Sequence, residues 1–206
     1  MPFAATVLDV MLAAPSDVDD ETKVVEEVVK AWNTVNARTA GMMLHYVHYS
    51  TDVAPQAGAH PQAIVNKRLL ENSDILIAIF WTRLGTPTDS ADSGTVEEID
   101  RHAATGKPTM VYFSRREVPL DRVDLRQVEA VRTYRKRLSN EAYCGEFDSL
   151  EDLRNKLTTH LAKTINEDEY LLSLRQQAPQ SPIQNTDPLL GLSDLAKVIL
   201  RAAGAS

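Results

Sequence analysis

Cysteine is nearly absent from this chain: Cys144 is the only one among 206 residues. No internal disulfide can form, and a reducing cytoplasm is the expected setting. Positive charge is in deficit as well. Against 29 Asp and Glu stand 22 Lys and Arg, leaving a formal net charge of −7, the wrong sign for a protein that grips DNA through its phosphates. A small phosphorylated ligand needs only a few local cations and is compatible with that balance. Long apolar runs are also missing. No stretch approaches the roughly 20 residues of a membrane span, and the N-terminus lacks the basic segment and apolar core of a secretion signal. A soluble cytoplasmic protein is expected. Hydrophobic content of 43% and charged content of 25% are those of a globular chain, long enough for one domain with an appendage.

What is present is an alternation of two periods. VLDVMLA (7–13) reads as a strand and Pro15-Ser16-Asp17 ends it. Ser16 with Asp19 resembles a capping box, and the helix behind it places Val18, Val25, Val28, Val29, Trp32 and Val35 at helical spacing to about Arg38. Gly41 admits a second strand, 42–49. A polar loop leads to a second helix, about 62–72. Ile75–Phe80 is a solid apolar run, as in a strand buried on both faces. A third helix covers 94–105 and a fourth strand 109–113. Beyond a loop follow a charged helix at 125–138, a short strand at 143–147, and a helix at 150–165 with Leu153, Leu157, Leu161 and Ile165 spaced by four. Alternating strands and helices imply a parallel sheet with right-handed crossovers and helices on both faces. Five strands suit a flavodoxin-like order 2-1-3-4-5. The domain is expected over residues 1–170. Residues 171–206 are expected to form a Pro- and Gln-rich linker and one short amphipathic C-terminal helix.

In such sheets ligands bind at the carboxyl edge, so the loops there hold the candidate chemistry. Glu98 falls in the first turn of the third helix. A carboxylate there can face a sugar C1, where it stabilises or attacks an oxocarbenium-like centre. Thr95-Val96-Glu97-Glu98 is equally a capping box, and acidic residues gather at helix N-termini for dipole reasons alone. Glu97 flanks the same apolar stripe of Val96, Ile99 and Ala103, and helical geometry does not choose between the two. Ser93 and Gly94 precede the helix, where small residues let backbone amides approach an anion or simply form an N-cap turn. After the third strand, Trp81 can stack on a flat base and Arg83 can meet a phosphate; Trp81 can also be strand-end core. Ser16, in the first strand-to-helix loop, faces the same edge. That loop lacks the GxGxxG of dinucleotide-binding Rossmann domains.

The remaining polar clusters point elsewhere. His45 and His48, three apart on a strand, face opposite ways and form no metal site. His102, one turn past Glu98, could orient it or lie in a surface pair. Residues 115–137 hold eight of the 22 basic residues among acidic neighbours, the pattern of a solvated helix face. A receiver domain would need an aspartate at the end of the third strand and an acidic pair after the first. Those places hold Phe80-Trp81 and Ala13-Ala14. A flavodoxin would need a hydroxyl- and glycine-rich first loop, and APSDV has one serine and no glycine.

DSGTVEEIDRHAATGKPTMVYF (92–113) resembles the nucleoside 2-deoxyribosyltransferase and Toll/interleukin-1 receptor (TIR) superfamily. The former carries Asp-Ser-Gly-Thr-x-x-Glu-Ile, then Gly-Lys-Pro and a strand. Asp92, Ser93, Gly94, Thr95, Glu98 and Ile99 match it, followed by Gly106-Lys107-Pro108. The match selects Glu98 over Glu97. VMLAAPSDV and AIFWTRLGTPT resemble more closely the bacterial TIR-like branch found in antiviral defence proteins. The resemblance covers about residues 5–167. It implies an NAD glycohydrolase acting as a defence effector, with NAD as substrate, no cofactor and no metal. Glu98 would be catalytic, and Ser16, Trp81, Arg83, Ser93 and Gly94 would bind substrate. Self-association would complete the site, and a sensor domain could follow; neither DNA nor membrane is an implied partner. The alternatives are a nucleoside 2-deoxyribosyltransferase or hydrolase, and a TIR signalling or scaffold module without catalysis.

Overall fold

The computed structural model describes residues 2–48, 69–88, 91–118, 123–140 and 144–177. Ala5–Ala178 form one compact unit and Met1–Ala4 with Pro179–Ser206 another; every strand and helix named below belongs to the first. The strands are β1 (Thr6–Ala13), β2 (Met42–His48), β3 (Ile75–Phe80), β4 (Thr109–Ser114) and β5 (Gly145–Phe147). The helices are α1 (Asp19–Ala40), α2 (Gly94–Ala103), α3 (Leu125–Leu138), α4 (Leu150–Glu167) and α5 (Glu169–Gln177). A helical turn at 69–72 precedes β3. The sheet is parallel throughout with order β2-β1-β3-β4-β5, the flavodoxin-like arrangement expected from the alternating pattern.

Two apolar layers sandwich the sheet. Leu8, Val10, Leu12, Ile75, Ile77 and Ile79 pack with α1 and α4. Their alternates Met11, Ala13, Leu76, Ala78 and Phe80 pack with α2 and α3. All six residues of β3 are buried, because its position in the middle of the sheet gives it a covered face on each side. Register follows from these stripes: Leu12 lies opposite Ile77, and Ile77 opposite Met110. α1 ends where Gly41 turns left-handed at φ 64°, a conformation that costs glycine little.

Four expectations change. Ser16 does not cap α1: the cap position is Val18, with no side-chain cap hydrogen bond. The neighbouring carboxylate of Asp17 reaches instead across to the loop after β3. Val35 is 76% exposed; Val24 takes the buried place in the stripe. The domain also runs past residue 170 into α5. Leu171 is wholly buried, and the Tyr170 hydroxyl donates to Asp74 Oδ1 at 2.6 Å, so this segment is core and not linker. Finally, β5 begins at Gly145. Tyr49, Tyr143, most of the 62–72 helix and the C-terminal helix lie outside the described residues.

Candidate functional site

The loop from β3 into α2 is built tightly. Ser93 is buried and caps α2, its Oγ accepting from the Val96 amide at 3.1 Å. Its carbonyl accepts from the Glu97 amide at 3.0 Å, and the Gly94 amide donates to the Thr86 carbonyl at 3.1 Å. Gly85, at φ +109°, lets the chain pass close: a Cβ there would lie 3.2 Å from Ser93 Cβ. The Ser93 hydroxyl and the Gly94 amide are thus engaged within the turn, so the Gly94 amide expected to approach an anion already has a partner. The cap is Ser93, and neither glutamate serves it; the box read at Thr95–Glu98 does not form.

The two glutamates separate cleanly. Glu97 is bound on both oxygens, to Arg101 Nη2 at 2.5 Å and to the Thr88 hydroxyl at 2.9 Å. Glu98 is half-buried and makes no hydrogen bond or ion pair among the described residues. Loss of solvent, and secondarily the charge of Glu97, push its carboxyl up to about 7. A helical step of about 100° per residue sets Glu98 some 160° from Asp100, which turns toward Arg137 of α3. Glu98 therefore lies on the flank of α2 that faces away from α3. His102 does not orient it. That ring is 1% exposed and bonds Thr109 Oγ1 through Nδ1 at 2.8 Å, and burial pushes its imidazole below the usual histidine range.

The other expected residues share the carboxyl edge without all facing one point. Ser16 is exposed in the turn after β1. Arg83 is exposed, and its backbone amide donates to Asp17 at 3.1 Å. Trp81 is half-buried against the α1 layer; its Nε1 donates to the Arg116 carbonyl at 3.2 Å, and the Arg116 guanidinium covers its ring at 4.5 Å. Sequence reasoning missed Asp17, Glu21 and Arg116. Asp17 Oδ2 accepts from the Thr82 amide and hydroxyl, both at 2.8 Å, tying the first loop to the third strand's end. Glu21 is wholly buried beside Arg116, at 2.7 Å. No local signal announces these partners, which are 65 or more positions apart in the chain except by folding.

The matched run is split by the fold. Gly106-Lys107-Pro108 lies at the amino edge, opposite Glu98. There Lys107 Nζ donates to the Ser73 carbonyl at 2.8 Å and to Glu71 at 3.3 Å, an architectural role. Hollows border the described residues, two of them large. One of about 680 Å³ lies beside the start of α2, lined by Leu84, Asp92, Leu125, Tyr134 and Arg137 among others. The other, about 370 Å³, lies against Tyr112 and His160. Neither is lined by Glu98. No group of residues suited to hold a metal ion is found among the described residues, and no helix among them is long and apolar enough to cross a membrane.

A parallel five-stranded α/β domain of flavodoxin-like order, with an unpartnered carboxylate at its carboxyl edge, is the class these observations define. Residues 13–162 match the family described as "Domain of unknown function (DUF4062)", and the chain belongs to it. No protein of curated function matches. Among solved structures it is similar to a 2-desoxiribosyltransferase from Leishmania mexicana, at 19% identity and a TM-score of 0.36. That match covers 52% of this chain and 64% of the other, so this chain spans under two thirds of that protein. Oxidised flavodoxin 1 from Bacillus cereus matches at 11% identity and TM-score 0.38, covering 79% and 99%. The flavodiiron protein from Giardia intestinalis matches at 11% and 0.40, covering 85% and 39%.

Proposed function

We propose that this domain cleaves the N-glycosidic bond of a ribosyl substrate, NAD first, releasing nicotinamide. The observation behind this reading is Glu98: a desolvated carboxylate at the carboxyl edge of the sheet, without a hydrogen-bond or ion-pair partner among the described residues, next to a glutamate with two. A structural acid at a helix start is expected to be capped or paired. One held unpaired and raised to about 7 fits a group kept for a positively charged partner.

The chemistry balances simply. The C1′–N bond breaks with its electron pair leaving on nicotinamide, which neutralises the pyridinium. Positive charge develops at C1′ and the ring oxygen, where the Glu98 carboxylate stabilises it. Water adds to C1′ and its proton passes to Glu98 or solvent, giving ADP-ribose. The cation of the bound substrate favours the ionised form of Glu98. Trp81 and Arg83, which follow β3 at the same carboxyl edge, are the residues proposed to border the substrate, with Ser93 shaping the turn. Self-assembly of the domain, as a defence effector, belongs to the same proposal through the TIR-like resemblance.

Nicotinamide release from NAD by the full chain, compared with Glu98→Gln, tests this. The expected loss is about 100-fold or more. Full activity in the variant refutes the assignment. Transfer between deoxynucleosides and free bases, with no nicotinamide released from NAD, would move the substrate to nucleosides.

A further inference from the structure

Arg116 stands two residues past β4, at the carboxyl edge, and is held from three sides. Its guanidinium lies flat over Trp81, 4.5 Å from the ring centroid. The indole Nε1 donates to its carbonyl at 3.2 Å. Nη2 sits 2.7 Å from Glu21 Oε1, and Glu21 is wholly buried while 23% of the Arg116 side chain remains exposed. As a device for stability this is poor. Desolvating a carboxylate and a guanidinium offsets most of their attraction, and apolar residues of similar volume serve a core as well or better. Here the cost is compounded, because Arg116 Nε is buried without an acceptor and neither Glu21 oxygen accepts a well-aligned hydrogen bond. Burial also pushes the Glu21 carboxyl up, against the opposing pull of Arg116. What the arrangement does achieve is orientation. A planar fork with five N–H donors is fixed against an aromatic plate, and most of its donors have no acceptor among the described residues.

We propose that Arg116, set on Trp81 and backed by Glu21, is the oxyanion-binding residue of this edge and takes a phosphate oxygen of the ribosyl substrate. The substrate class is then a phosphorylated nucleotide, not a free nucleoside. Guanidinium–phosphate pairs are strong and directional, and a preorganised fork loses little freedom on binding. Arg83, the cation expected from sequence, is exposed and has no such anchoring. This inference rests on the glycosidic-cleavage reading for the identity of the ligand, and Glu21 is a positioning residue within it.

The test uses calorimetric titration of the full chain carrying Glu98→Gln, so that no turnover occurs. ADP-ribose and adenosine are the probes. Arg116→Gln is expected to weaken ADP-ribose binding about tenfold or more, Arg116→Lys to weaken it less, and both to leave adenosine binding unchanged. Because Arg116→Gln leaves Glu21 buried alone, the double variant Arg116→Met with Glu21→Leu removes the whole pair and leaves no lone buried charge; with folding checked by circular dichroism, it must show the same loss. Unchanged ADP-ribose affinity in either variant overturns the proposal, as does an equal loss for adenosine or no ADP-ribose binding at all. The two readings fail separately. Arg116-dependent binding without nicotinamide release from the native chain sinks the cleavage reading alone. Nicotinamide release with a KM indifferent to Arg116→Gln sinks this one alone.

Discussion

Glu97 and Glu98 differ by one step along α2, and that step separates a surface ion pair from a candidate reactive group. Glu97 had a readable partner in Arg101, four residues on, the usual spacing for a helical salt bridge. Glu98 had none, and only the resemblance set it apart. Its raised carboxyl has a stability consequence. The folded state holds the proton up to about 7 while the unfolded chain releases it near 4.5. Folding therefore loses stability as pH rises between those values, and the full cost is present above them. Glu98→Gln is expected to be more stable than the native chain by the order of 1–2 kcal/mol at pH 8, the gain vanishing near pH 4. Urea unfolding at both values checks this. A gain that is the same at both pH values would show that Glu98 is not raised.

At the scale of elements, β3 and α3 have the bounds their sequence patterns predict, because an apolar run and a clear 3.6-residue period depend on nothing distant. Ends that rely on tertiary partners were not legible. The start of α1 lacks its expected cap because Asp17 bonds the end of β3, 65 residues away. α5 was hidden because its pattern is short and its anchoring, Tyr170 to Asp74, spans 96 positions. Arg116 belongs with these: its meaning lies in Trp81 and Glu21, which only folding brings beside it. β5 contains a further unannounced constraint. A Cβ on Gly145 would fall 2.5 Å from Tyr112 Cδ1, and that ring is buried, stacked on His160 and hydrogen-bonded to it at 2.9 Å. Gly145→Ala is expected to cost about 2 kcal/mol, measured by denaturant unfolding. A change below roughly 0.5 kcal/mol would mean that the edge strand moves freely away from Tyr112.

Across the whole unit, the two edges of the sheet divide the labour. The amino edge is stapled by Lys107, His102, Thr109, Asp74 and Tyr170, each held by at least one hydrogen bond though the buried His102 Nε2 has none. The carboxyl edge keeps Glu98 and most of the Arg116 fork without any among the described residues. The proposed self-assembly would complete a site at this open edge. If assembly completes it, nicotinamide released per molecule will rise with protein concentration before levelling off. A constant specific activity across a hundredfold range would show a site complete in one chain.

The pH dependence of kcat/KM for nicotinamide release tests the central claim most directly, since it reports the free protein's ionisable group. Activity that needs the Glu98 carboxylate should rise with pH, reach half its plateau near 7, and lose that profile in Glu98→Gln. A profile flat through neutrality, or one that Glu98→Gln leaves intact, would contradict the account.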